Sequence, residues 1–148
     1  MDQQERNVEQ QVWRRVQSCR ETLPQNDLRQ LQREAMELAA VYRGLSGQLA
    51  GRQRERIMKL YLGEKSNGAA LAGIGRLLRQ GEEALKVWQP GREDPIRILE
   101  RCYHRTRRCM TEYAARSAEG EFGVVFEKLA RREGDHCALL AELLGGLK

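Results

Sequence analysis

Long apolar runs, prolines and paired cysteines are scarce in this chain. No stretch of about 18 apolar residues occurs, so no membrane span and no membrane partner are expected. Only three prolines stand against 41% hydrophobic and 32% charged residues, a balance that favours an all-helical protein. The N-terminal Met-Asp-Gln-Gln-Glu-Arg lacks a basic start leading into an apolar core. No signal peptide is therefore expected, and the cytoplasm is the default compartment. The four cysteines, Cys19, Cys102, Cys109 and Cys137, include no C-x-x-C pair. In a reducing compartment they read as small core hydrophobes rather than as a disulfide frame or a zinc site. The net charge is +5, with arginine greatly outnumbering lysine. The basic clusters are interleaved with glutamate, and no aromatic residues alternate with them as a stacking platform. They read as solvated helix faces, and no specific nucleic-acid partner is expected.

At 148 residues the chain is long enough for one sizeable core. Residues 1–24 read as an accessory segment, because Val8, Val12, Val16 and Cys19 recur at helical spacing beside Trp13 before the Leu23-Pro24 step ends the pattern. Such a short helix is marginal alone. It is expected to pack on the main body or on a second copy of the chain, which makes a homodimer the partner to look for. Residues 25–148 read as a four-helix unit. The first helix spans about 27–49 with Asn26-Asp27 as its N-cap, and the second about 53–80, ended by Gly81. The third spans about 95–117, with Asp94 as N-cap and Pro95 in the first turn. A turn through Gly120 leads to the fourth, which Gly145-Gly146 is expected to stop.

Each helix carries polar residues on its apolar seam. In the fourth, Phe122, Phe126, Leu129, Leu140 and Leu143 alternate at spacings of three and four, yet Glu133 and His136 occupy the same stripe. In the second, Ile57, Leu60, Leu71, Ile74 and Leu78 share their seam with Glu64 and Asn67. Leu31, Leu38, Val41 and Leu45 of the first helix flank Glu34, with Glu37 further round; Thr106 interrupts the third. Burying an acid or an imidazole without a partner costs several kcal/mol or a large pKa shift. Two readings compete: a set of metal ligands, or a polar network inside a bundle.

The intruders share one level. Glu34 lies about 16 residues before the first inter-helix turn, and Glu64 and Asn67 lie about 14 and 17 after it. Thr106 lies about 14 before the second turn, and Glu133 and His136 about 13 and 16 after it. At about 1.5 Å per residue, each set falls at mid-height of its own hairpin. Residues three apart share a helix face, so Glu64-x-x-Asn67 and Glu133-x-x-His136 can aim at one interior point. The connection from Gly81 to Pro95 can extend about 50 Å, enough to run back along helices of about 38 Å or to close a loose end-to-end loop.

These residues resemble the ferritin-like superfamily, in particular a small rubrerythrin-like protein, over about residues 27–144. That family sets a Glu on each of two helices and Glu-x-x-His on each of the other two. The resemblance implies a ferritin-like four-helix bundle of two hairpins joined by a long connection. It also implies a metal site built from Glu34, Glu64, Glu133 and His136. Asn67 stands where the family has His, and Thr106 where it has Glu. These degenerate positions leave a set suited to one iron or manganese ion per chain at most. The family's activities are peroxidase, ferroxidase and storage, and this chain keeps the scaffold more fully than the chemistry, so no reaction is assigned. The alternative is a metal-free, non-enzymatic bundle with a relic polar core, acting through self-association or partner binding.

Overall fold

The computed structural model describes residues 25–78, 88, 91–118 and 120–148. The accessory helix and Trp13 lie outside the described residues. Within them are four helices and no strand: α1 (Gln25–Ser46), α2 (Gly51–Leu77), α3 (Pro95–Ser117) and α4 (Gly123–Leu147). Among the described residues no helix is long and apolar enough to cross a membrane.

Local chemistry fixes the start of α3. Asp94 takes an extended backbone, and its side chain accepts a hydrogen bond from the Ile96 N–H at 3.0 Å, with Pro95 opening α3 as expected. Gly120 has φ 70°, a left-handed turn residue between α3 and α4. Three expectations are corrected. Helix α1 starts at Gln25, so Asp27 sits in its first turn, where a negative charge favours the helix dipole, and not at the cap. Helix α2 gives way to a turn at Leu78, three residues short of Gly81. The Gly145-Gly146 pair stays helical, and α4 ends only where the Lys148 N–H reaches the Leu144 carbonyl at 3.1 Å. Gly146 lies beside the amide end of the Gln53 side chain of α2.

Cross-helix contacts set the directions. Asp27 pairs with Arg116 and Glu34 with Arg105, so α1 and α3 run antiparallel. Arg56 meets Glu142 and Asn67 meets Glu133, so α2 and α4 also run antiparallel. The hairpin α1–α2 is antiparallel too, because Gly75 lies against Leu28 and Gly68 against Met36. It follows that α2 and α3 point the same way, and the connection between them must travel the length of the bundle. Trp88 marks its far end. It lines a groove with Val41, Ile98 and Cys102, and its Cε3 lies 2.6 Å from where a Cβ on Gly44 would sit. Glycine at 44 is thus a notch for the indole.

The core is a column of fully buried Leu38, Tyr42, Leu45, Ile57, Leu60, Leu71, Leu99, Tyr113, Phe126, Leu129 and Leu140. The α2 and α4 seams match the sequence pattern throughout. Helices α1 and α3 are turned slightly: Ala35 is fully buried while Glu34 is half-buried, and α3 buries Ile98, Cys102 and Cys109 while Ile96, Tyr103 and Met110 are half-buried. Cys102 and Cys109 are free thiols packed as core residues, and burial pushes the Cys102 pKa up to about 12. Gly44→Ala should displace Trp88 into water. Its fluorescence emission, read in a Trp13→Phe background, should shift to the red; unchanged emission would contradict a connection that returns along α1.

Candidate metal centre

Helix α2 delivers Glu64 and Asn67 to the bundle centre, and α4 delivers Glu133 and His136; all four are buried. The antiparallel register puts the two i, i+3 pairs face to face. His136 Nδ1 lies 3.0 Å from Glu64 Oε1 and 3.4 Å from Glu133 Oε1. Asn67 Nδ2 donates to Glu133 Oε1 at 2.6 Å, while its carbonyl accepts from Arg132 Nη1 at 2.8 Å. Asn67 is therefore spent at both ends, orienting one carboxylate and relaying the charge of Arg132. It is not a spare oxygen ligand. The other face of the imidazole rests on α2. A Cβ at Gly63 would lie 2.5 Å from His136 Cε1 and closer still to Nε2. Glycine at this helical position lets the ring approach the α2 backbone.

Electrostatics in this cluster pull in opposite directions. Burial raises the Glu64 pKa well above the usual carboxylate range; the hydrogen bond to His136 opposes this, and the negative charge of Glu133 adds to it. For His136, burial works to lower the pKa, but the hydrogen bonds and charges of Glu133 and Glu64 outweigh it and lift the imidazole to about 9. The buried Tyr42 hydroxyl has that of Thr106 beside it, while Glu133 Oε2 is buried and has no hydrogen-bond partner among the described residues. Fully buried oxygens in this condition are uncommon and call for an explanation. Tyr42 lies on the α1 side of the cluster, and its hydroxyl feels Cys102, Glu64, Thr106 and Glu133. Burial is the main reason its pKa is raised.

Of the expected ligands, the structure brings together Glu64, Glu133 and His136, whose ligand atoms all lie within 4.8 Å of one another. It does not bring Glu34. Because Ala35 takes the core position of α1, Glu34 points to the flank and accepts from Arg105 Nε at 2.9 Å. Glu37 accepts from Arg105 Nη2 at 2.6 Å. Neither acid of α1 joins the centre, and a guanidinium holds both. Thr106 stands fully buried at the expected level, without a carboxylate to offer.

The donor set suits one divalent ion. Two carboxylates and a neutral imidazole cancel its charge, and bonds of about 2.1 Å to adjacent ligands place donor atoms about 3.0–3.4 Å apart, the spacing of His136 Nδ1 from each carboxylate. Two divalent ions would bring four positive charges to two carboxylates, so the centre does not fit a pair. Reasoning from sequence missed Arg105, Arg132 and the part played by Tyr42, and that the close approach at Gly63 is by the ring of His136. The one signal was Gly63 itself, a poor helix former immediately before a buried acid.

The raised imidazole pKa makes a signed prediction for the metal-free protein. The folded value of about 9 exceeds the unfolded 6.5, so its stabilisation is complete below pH 6.5 and lost as pH rises through 9. Denaturant midpoints should fall between pH 6.5 and 9.5, by at most roughly 3 kcal/mol, and His136→Asn should flatten that fall. An imidazole resonance of His136 that titrates below 7 would contradict it. Gly63→Ala should destabilise the fold by about 1–3 kcal/mol through overpacking, despite the better helix propensity of alanine. A stabilised variant would show that the ring does not rest on α2. The chain matches no protein-family profile, no curated protein and no solved structure.

Proposed function

We propose that this chain is a ferritin-like bundle that holds one iron or manganese ion through Glu64, Glu133 and His136. The observation that carries the reading is the convergence of two buried carboxylates and an imidazole nitrogen, one carboxylate oxygen having no partner. The two antiparallel hairpins and the connection running the length of the bundle support the ferritin-like assignment, since one long crossover distinguishes that fold from an up-down-up-down bundle. When bound, such an ion supplies Lewis-acid or one-electron chemistry. The chain's own residues do the rest. Asn67 and Arg132 hold Glu133 in place, Gly63 admits the ring of His136, and the packed leucines around them keep bulk water out. Tyr42 and Thr106 stand on the α1–α3 side, where no carboxylate of the described residues reaches the centre, and present hydroxyls to whatever occupies the remaining positions.

A polar network without metal is the second reading. It is favoured by Arg105, which already serves as the cation for both Glu34 and Glu37. The two readings separate on Glu64→Gln. If Glu64 is a ligand retained at a cost in stability, the metal-free variant should be within about 1 kcal/mol of wild type or above it, because a buried charge has been removed. Elemental analysis after loading with Fe(II) or Mn(II) should then give one ion per wild-type chain and none for Glu64→Gln or His136→Ala. No ion in the wild type would defeat the metal reading. Two ions per chain would defeat the single-ion donor set.

A further inference from the structure

Helix α2 is apolar on its outer side as well as toward the core. Met58, Leu62, Ser66, Ala69, Gly73 and Leu77 recur at spacings of three and four, forming one stripe along the exposed side of the helix. Leu62 is 56% exposed and Leu77 69%, although both are large and apolar. The Ser66 hydroxyl donates back to the Leu62 carbonyl at 2.9 Å, so it adds little polarity to the stripe. Nothing in the described bundle calls for glycine at 73. A Cβ there would meet only the end of Arg76, at 3.8 Å, and glycine is a poor helix former. Small residues from 66 to 73, set between two exposed leucines, leave a strip on which a second helix can lie close. Arg54, Lys59 and Lys65 border its first half, where Glu55 is the exposed acid, whereas residues 66–75 carry no charge.

We propose that residues 5–20 of the same chain cover this stripe as a helix parallel to α2. The place where that segment joins the bundle points to it. Helix α1 begins at Gln25, and Leu28 in its first turn lies against Gly75 near the end of α2. The chain entering α1 is therefore close to Leu77, and residues 21–24 can span about 13 Å, enough to step onto the outer face of α2. As a helix, residues 5–20 are about 24 Å long, against about 22 Å from Leu62 to Leu77. Aligned from that end, Val12 and Val16 fall opposite Ala69 and Gly73, larger side chains over smaller ones. Glu5 and Glu9 then fall beside Lys59 and Lys65, while Arg14 and Arg15 fall along the uncharged stretch. The α2 stripe of a second copy fits less well, because Arg54, Lys59 and Lys65 would meet their own counterparts. The metal centre plays no part in this contact.

The test uses the full chain carrying Cys19→Ser and Cys137→Ser, so that the remaining native thiols, Cys102 and Cys109, are buried. Val12→Cys is combined with Ala69→Cys, or with Thr111→Cys on the exposed side of α3 as the control. A short bis-maleimide reagent, which tolerates a turn of difference in register, then joins the pair, and peptide mass spectrometry maps the link. A link within the monomer is expected between 12 and 69 and not between 12 and 111. Fluorescence gives a second readout in a Trp88→Phe background. Ala69→Arg should drive the segment off and shift Trp13 emission to the red, while Thr111→Arg should leave it unchanged. No preference for 69 over 111, or unchanged emission in Ala69→Arg, would overturn the proposal. So would a 12–69 link found only between two chains, which would assign the stripe to the segment of a second copy.

Discussion

Two carboxylates buried against one imidazole set the terms for the middle of this molecule. Glu64 and Glu133 cannot both stay ionised in a leucine-lined interior without positive charge within a few ångströms, and His136 provides it at 3.0 and 3.4 Å. Protonated, the ring leaves the cluster one negative charge in excess, which the raised pKa of Glu64 expresses. A divalent cation with a neutral imidazole removes that excess. The same three side chains therefore describe either a proton-sharing network, in which Glu64, its pKa raised, bonds to Glu133, or a charge-balanced metal centre.

The fold is arranged to keep those three groups together. Antiparallel α2 and α4 bring two i, i+3 pairs into opposition, and Gly63 removes the one side chain that would hold the ring away. Asn67 and Arg132 extend the positive charge to Glu133 from outside. On the opposite side, α1 and α3 contribute hydroxyls rather than carboxylates. Glu34 and Glu37 of α1 are instead held at the half-buried flank by Arg105. The result is a polar core with candidate ligands on one half only.

Much of this was legible in the sequence, for physical reasons that differ between helices. The α2 and α4 seams have an unbroken alternation of large apolar residues, so Glu64, Asn67, Glu133 and His136 could be placed by phase alone. Helix α1 has small residues at 35, 39 and 40, and alanines read weakly on either face. The true seam through Ala35 and Tyr42 lies one residue on from the apparent one, and Glu34 fell to the wrong side of that boundary. The direction of the connection was open because its length permits both routes; the contact of Trp88 with Gly44 decides it. Arg105 and Arg132 had no sequence signature, since a basic residue beside a seam position is ordinary until its partner across the bundle is known.

The central claim is that one ion belongs between α2 and α4. Crystals of the full chain grown with Mn(II) and without chelator, measured above and below the manganese absorption edge, test it most directly. The account predicts a single anomalous peak within bonding distance of Glu64, Glu133 and the Nδ1 atom of His136. No peak at the bundle centre, or two peaks with Glu34 turned inward to bridge them, would contradict it.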